Sequence, residues 1–233
     1  MIVSLPISTG PAFVFLAMDH PPEFLAATAL SSLVANAATP IFMSLYAHVA
    51  QHRGVIASLA VALTVWVDLV AASTLVVWTL PMTLFLNVAL FIVGGLALAG
   101  LRQGPRTTAA DNRWWDVPLR AFAAMSLCGS LIAASHFFGP KGAGLIALAP
   151  MGFVSMAVVV HPRAGGRTSA AVFANALFGM VGFGGGLLVV HLTAVQLGSW
   201  LSLLGGLATS IAWNGLLVLL RAMQARQGRA TQP

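Results

Sequence analysis

The chain has 233 residues, of which 7% are charged and 59% hydrophobic, and its formal net charge is +6. A soluble domain carries about 25% charged residues, so the composition excludes a soluble fold, which could not hide this much apolar surface. The basic excess lies at the ends of apolar segments, where it reports orientation and argues against a nucleic-acid partner. What remains is an all-α, polytopic bundle of transmembrane helices, and eight candidate spans follow one another along the chain. The chain starts MIVSLPIS, which lacks a basic leader region, so residues 2–18 read as a retained first helix, interrupted by Pro6, Gly10 and Pro11. Residues 24–50 carry Pro40 in mid-span. Residues 54–78, GVIASLAVALTVWVDLVAASTLVVW, can cross a hydrocarbon core of about 30 Å at roughly 1.5 Å per residue, with Asp68 near the middle. Residues 80–101 complete the first half. A polar connection, 102–116, precedes a fifth span at 117–135, with Trp114 and Trp115 placed to anchor it at headgroup depth. The lone Cys128 lies in that fifth span and excludes an internal disulfide or a cysteine metal cluster. Spans at 142–160, 168–191 and 196–221 follow, and a polar, basic tail over 222–233 ends the chain as a frayed helix end near anionic lipid.

The basic residues test this count. With the N-terminus on the inner side, the inner connections hold Arg53, then Arg102, Arg106, Arg113 and Arg120, then Arg163 and Arg167, and the tail holds Arg221, Arg226 and Arg229. Of the 11 Lys and Arg residues only Lys141 falls outside, a positive-inside bias that places both termini in the cytoplasm. The halves also look alike. VANAATPIFMSLYAHVAQHRG, with Pro40 and Arg53, parallels LIALAPMGFVSMAVVVHPRAG, with Pro150 and Arg163. Four helices per half would give two repeats of the same orientation, 1–101 and 117–221, about a pseudo-twofold along the membrane normal. Residues 140–221, with Ala143-Gly144-Leu145-Ile146 ahead of Pro150, a basic loop and a long helix pair, resemble the small four-helix GlpM-type bacterial inner-membrane proteins. The resemblance implies four-helix repeats in the bacterial cytoplasmic membrane and implies no substrate.

Candidate chemistry begins at Asp68. A carboxylate in mid-membrane costs about 2.5–3.5 kcal/mol on insertion scales and normally faces protein or a water-filled cavity. On a helix it shares a face with Ala57, Val61, Thr64, Ala71, Ala72 and Leu75, against Leu59, Trp66, Val70 and Val77 on the other side. The small residues one turn away, Thr64 among them, suit a close helix neighbour. Asp68 then serves either proton or cation coupling or a structural hydrogen bond to another helix. Pro40 and Pro150 each remove a backbone donor and free a carbonyl one turn earlier, near Asn36 and Ile146, which makes either a binding site or a packing kink.

Other polar features read as structural. His48 and His52 have ligand spacing without an accompanying carboxylate or thiolate, so no metal is expected. Asp19, His20, Glu23, His136, Lys141 and His191 make the outer end polar. Gly139-Pro140-Lys141-Gly142 reads as a tight outer turn. Gly182 and Gly186 form a small-xxx-small packing face, and Asn87, Asn175 and Asn214 are expected to hydrogen-bond between helices.

No nucleophile with a base, paired acids or cofactor fingerprint is present, so neither an enzyme nor a cofactor is expected. The function expected is a small-molecule secondary transporter, an exporter or proton-coupled carrier. Asp68, Asn36, Pro40, Thr64 and Pro150 are its substrate or coupling residues, the lipid bilayer is its partner, and a homo-oligomer is allowed. The alternative is a non-transporting assembly or regulatory factor for envelope biosynthesis.

Overall fold

The computed structural model describes residues 9–102, 125, 126, 129 and 136–230. They are helical almost throughout: α1 (Thr9–Asp19), α2 (Pro22–Ala50), α3 (Val55–Ser73), α4 (Leu80–Ala97), α5 (136–147), α6 (Met151–Ala164), α7 (Gly166–Leu197) and α8 (Ser199–Ala230). Prolines start two of them harmlessly. Pro22 and Pro81 occupy the first positions of α2 and α4, where the missing N–H has no intrahelical partner to lose. Gly165 and Gly198, at φ +82 and +80, separate α6 from α7 and α7 from α8. A residue with a side chain at either position would be strained by this positive-φ backbone, which only glycine adopts freely.

Among the described residues six helices are long and apolar enough to cross a membrane, with α5 and α6 together making one of them, His136–Ala164. They fit a multi-pass integral membrane protein. The bundle is built on α2 and α7, which cross at its centre; α3 and α4 pack on α2, and α8 packs along α7. The core lies between α2, α6 and α7, where Phe42, Tyr46, Phe153 and Phe173 gather.

Several elements differ from the sequence reading. The described part of the first expected span is an 11-residue helix, about 16 Å long and too short to cross. The third span stops at Ser73. Its last carbonyls are taken by Trp78, whose Nε1 donates to Ser73 at 2.8 Å, and by Lys141, whose Nζ donates to Thr74 at 2.7 Å. This is how orphan carbonyls at a helix end are satisfied. The fifth span, 117–135, and the 102–116 connection lie almost wholly outside the described residues. Residues 139–142 are helical, not a tight turn; Gly139 alone departs, at φ +62. The tail continues α8 to Ala230.

The two prolines of the proposed repeat also differ. Pro40 lies inside an unbroken α2, whereas Pro150 is a helix break, at φ −76 and ψ 43. The Met151 amide donates to the Ala149 carbonyl at 2.7 Å across it, an inverse γ-turn. The Ile146 carbonyl expected to be free accepts from Ala149 at 2.9 Å. In the second half α7 runs along α8, while α3 and α4, their counterparts, share no such seam.

Candidate functional site

Helix α2 carries four buried polar side chains on one side, Thr28, Ser32, Asn36 and Thr39. Their spacing of three and four residues stacks them on one helical face. Ser32 donates to the Gly144 carbonyl at 2.8 Å, tying α2 to α5. Gly144 is required there, because a Cβ would run into the Thr28 carbonyl and Ser31. Only Asn36 stood out in the sequence. The i, i+4 run Thr28–Ser32–Asn36 was the signal that would have found the others.

Asn36 is 1% exposed and meets Asn87 of α4. The Asn36 Nδ2 donates to Asn87 Oδ1 at 3.0 Å, and Asn87 Nδ2 donates to the Leu33 and Thr83 carbonyls at 2.8 and 2.9 Å. Two carbonyls around one amide group fix its orientation, since only the NH2 can serve both. Asn87 therefore presents oxygen to Asn36, and Asn36 must answer with its NH2. Among the described residues its Oδ1 is left buried without a partner, an arrangement that costs about 1–3 kcal/mol.

The pair sits beside a cavity of about 230 Å³ among α2, α4 and α7. Leu33, Leu84, Phe91 and Leu188 line it with hydrocarbon, and Gly184 and Gly185 complete the α7 wall. A Cβ on Gly184 would lie 2.9 Å from Asn36 Nδ2, so glycine holds this wall open. Just along α2, Pro40 presses on Gly94 of α4, where a Cβ would lie 2.7 Å from the proline Cβ. Two helices, α2 and α4, thus bring Asn36, Pro40 and Asn87 to one crossing, against the glycine wall of α7. Pro150 lies at the α5–α6 break and does not line this cavity.

Asp68 and Thr64 are placed differently. Leu59, Ala62 and Trp66 are the buried side of α3, while Val61, Thr64, Asp68, Ala71, Ala72 and Leu75 are exposed among the described residues. The face expected to turn inward therefore turns outward. Physically, the bulky side wins: a buried indole makes many more dispersion contacts than alanines and a threonine can. Among the described residues the Asp68 carboxylate has no hydrogen-bond or ion-pair partner.

The two ends of the bundle are chemically distinct. At one, Tyr46 Oη lies 3.0 Å from His161 Nδ1 and 2.8 Å from Ser169 Oγ, joining α2, α6 and α7. Close by in the fold, Asn175 donates to the Arg102 carbonyl at 3.1 Å and accepts from Arg221 at 3.4 Å, and the Arg102 guanidinium stands 4.5 Å over Phe178. At the other end His20 and His136 approach with ring centroids 5.9 Å apart. His191 Nδ1 is 2.9 Å from the Ala26 carbonyl.

Asn87 and Asn175 bond between elements, and the Asn214 amide donates to the Ser210 carbonyl. His48 bonds back to the Ser44 carbonyl at 2.8 Å. Among the described residues no three His, Cys, Asp or Glu side chains gather. A second cavity, of about 460 Å³, lies between α1, α7 and α8 with Phe13, Phe183, Leu187, Trp200 and Leu204 on its walls.

Comparison with protein-family models, with curated proteins and with solved structures gives no match for this chain.

Proposed function

We propose that the chain is a small-molecule secondary transporter of the bacterial cytoplasmic membrane, with both termini inside, and that the Asn36–Asn87 cavity is its substrate site. One observation carries this reading: a fully buried amide oxygen with no partner, beside an apolar cavity where three helices meet. A buried acceptor left unmet is expensive, and intramembrane polar groups of this kind mark substrate pathways. The Pro40–Gly94 crossing supports it as the place where α2 and α4 can pivot, because the proline removes one rung of the α2 ladder. On this reading the chain is not an enzyme. The GlpM-like relationship and the four-helix repeats belong to the same proposal.

Asp68 favours the second reading, a non-transporting assembly or regulatory factor for envelope biosynthesis. A carboxylate on an exposed face of α3 suits docking to another membrane protein as well as it suits coupling. Metabolite profiles of cells and medium, compared among strains with the wild-type gene, without it and with Asn36→Leu, test the choice. A metabolite whose distribution changes alike in the null and Asn36→Leu strains is expected. Indistinguishable profiles in all three would refute transport.

A further inference from the structure

We infer that the Asn36–Asn87 cavity takes an uncharged, membrane-partitioning molecule with one hydrogen-bond donor on an apolar body, such as an alcohol or a phenol. The inference rests on the reading of this cavity as the substrate site and adds its chemical class. Three features of the wall point to it.

The first is the missing partner. With the Asn87 NH2 held by two carbonyls and its oxygen met by the Asn36 NH2, Asn36 Oδ1 is the polar atom of the asparagine pair that has no partner among the described residues, and it is an acceptor. A ligand that completes the network must therefore donate. An ether or ketone of the same shape has no proton to give and would leave Asn36 Oδ1 unmet.

The second is the absence of charge. Every described residue lining the cavity is uncharged: Asn36, Asn87, glycine or hydrocarbon. A carboxylate or ammonium placed here would lose its hydration without a counter-charge, which neither amide dipole can replace. The hydrocarbon of Leu33, Leu84, Phe91 and Leu188 instead gains by covering an apolar body.

The third is the route in. Val88 of α4 and Val181 of α7, both on the cavity wall, are 60% and 36% exposed among the described residues. The mouth lies between two apolar helices, at the level where the bilayer's hydrocarbon would meet it. A molecule dissolved in the membrane reaches that mouth directly. A strongly hydrated solute does not.

The test is photolabelling of the full chain in lipid nanodiscs with three probes of one diazirine-bearing alkyl skeleton: the alcohol, its methyl ether and its carboxylate. Labelled peptides are mapped by mass spectrometry. The alcohol should label α2, α4 and α7 around the cavity about three- to tenfold more than the ether, the range one net hydrogen bond supplies. Asn36→Leu should bring the alcohol down to the ether's level. Val88→Trp, a change at an exposed position, should reduce alcohol labelling with Asn36 intact, and so gives an answer even where Asn36→Leu fails to fold. Equal labelling by alcohol and ether, carboxylate labelling as strong as the alcohol's, or alcohol labelling unchanged in both variants would overturn the inference. The readout needs no gradient and no flux. Labelling of the expected kind beside unchanged metabolite profiles would refute transport and leave the ligand class standing.

Discussion

At Gly186 and Gly206 the backbones of α7 and α8 meet directly, and adding one methyl group there measures how tightly the seam is built. A Cβ on Gly186 would lie 2.6 Å from the Gly206 carbonyl oxygen and 2.5 Å from Ser210 Oγ; one on Gly206 would lie 2.8 Å from the Gly186 oxygen. Ordinary carbon–oxygen contacts are about 3.3–3.6 Å, so Gly186→Ala must part α7 from α8 by roughly 0.7–1 Å. A gap of about that size forfeits a quarter to a half of each dispersion contact along the seam. It also strains the bonds from Ser210 Oγ to Gly182 and Gly206, now 3.2 and 3.0 Å. Over-packing of this kind costs about 1–3 kcal/mol, offset by up to about 1 kcal/mol of better helix propensity. The expected net loss is about 1–2 kcal/mol. Gly215 of α8 is the control, since a Cβ there would meet nothing within 4 Å; Gly215→Ala should be neutral or slightly stabilising. Reversible unfolding in mixed micelles with increasing SDS, followed by circular dichroism, reads both variants. The reasoning fails where Gly186→Ala is as stable as Gly215→Ala.

Three further outcomes are expected. Tyr46→Phe strips partners from His161 and Ser169 and should cost about 1–3 kcal/mol in the same SDS titration, with Ser169→Ala in the same chain recovering part of the loss; an unchanged midpoint would show the network to be dispensable. Asp68→Asn removes a carboxylate that costs about 2.5–3.5 kcal/mol in hydrocarbon, so it should insert and fold at least as well as wild type. On the transport reading it should lose flux driven by an imposed pH gradient in proteoliposomes, and equal flux would end the coupling role. Reporter fusions after Arg106 and after Gln232 should report cytoplasm, and one after Val77 the opposite side; a shared side for all three would refute the orientation.

The sequence by itself determined that the chain is helical and built for a membrane, where most helices run, and which connections share an end. These are properties of a segment read along one dimension: its apolar length, its proline and glycine punctuation, and the charges at its ends. The Gly182–Gly186 packing face was legible for the same reason, because glycine inside a long apolar helix is costly unless another helix needs the space. The tertiary structure alone decided which face of each helix turns inward. A helix that is apolar all round has no amphipathic stripe to announce its buried side, and lipid offers hydrocarbon as good as a protein interior does. The choice therefore falls to shape. Trp66 goes inward and Asp68 outward on α3, against the expectation drawn from charge. The site partners were hidden for a related reason. Asn36 and Asn87 are 51 residues apart, and Tyr46 and His161 are 115 apart. Those pairs exist because α4 and α6 pack where they do. Pro40 and Pro150 look equivalent along the chain, yet one sits in an unbroken helix packed on Gly94 of α4 and the other centres a γ-turn whose hydrogen bonds close on Ala149 and Ile146, a difference that the packing around each helix decides.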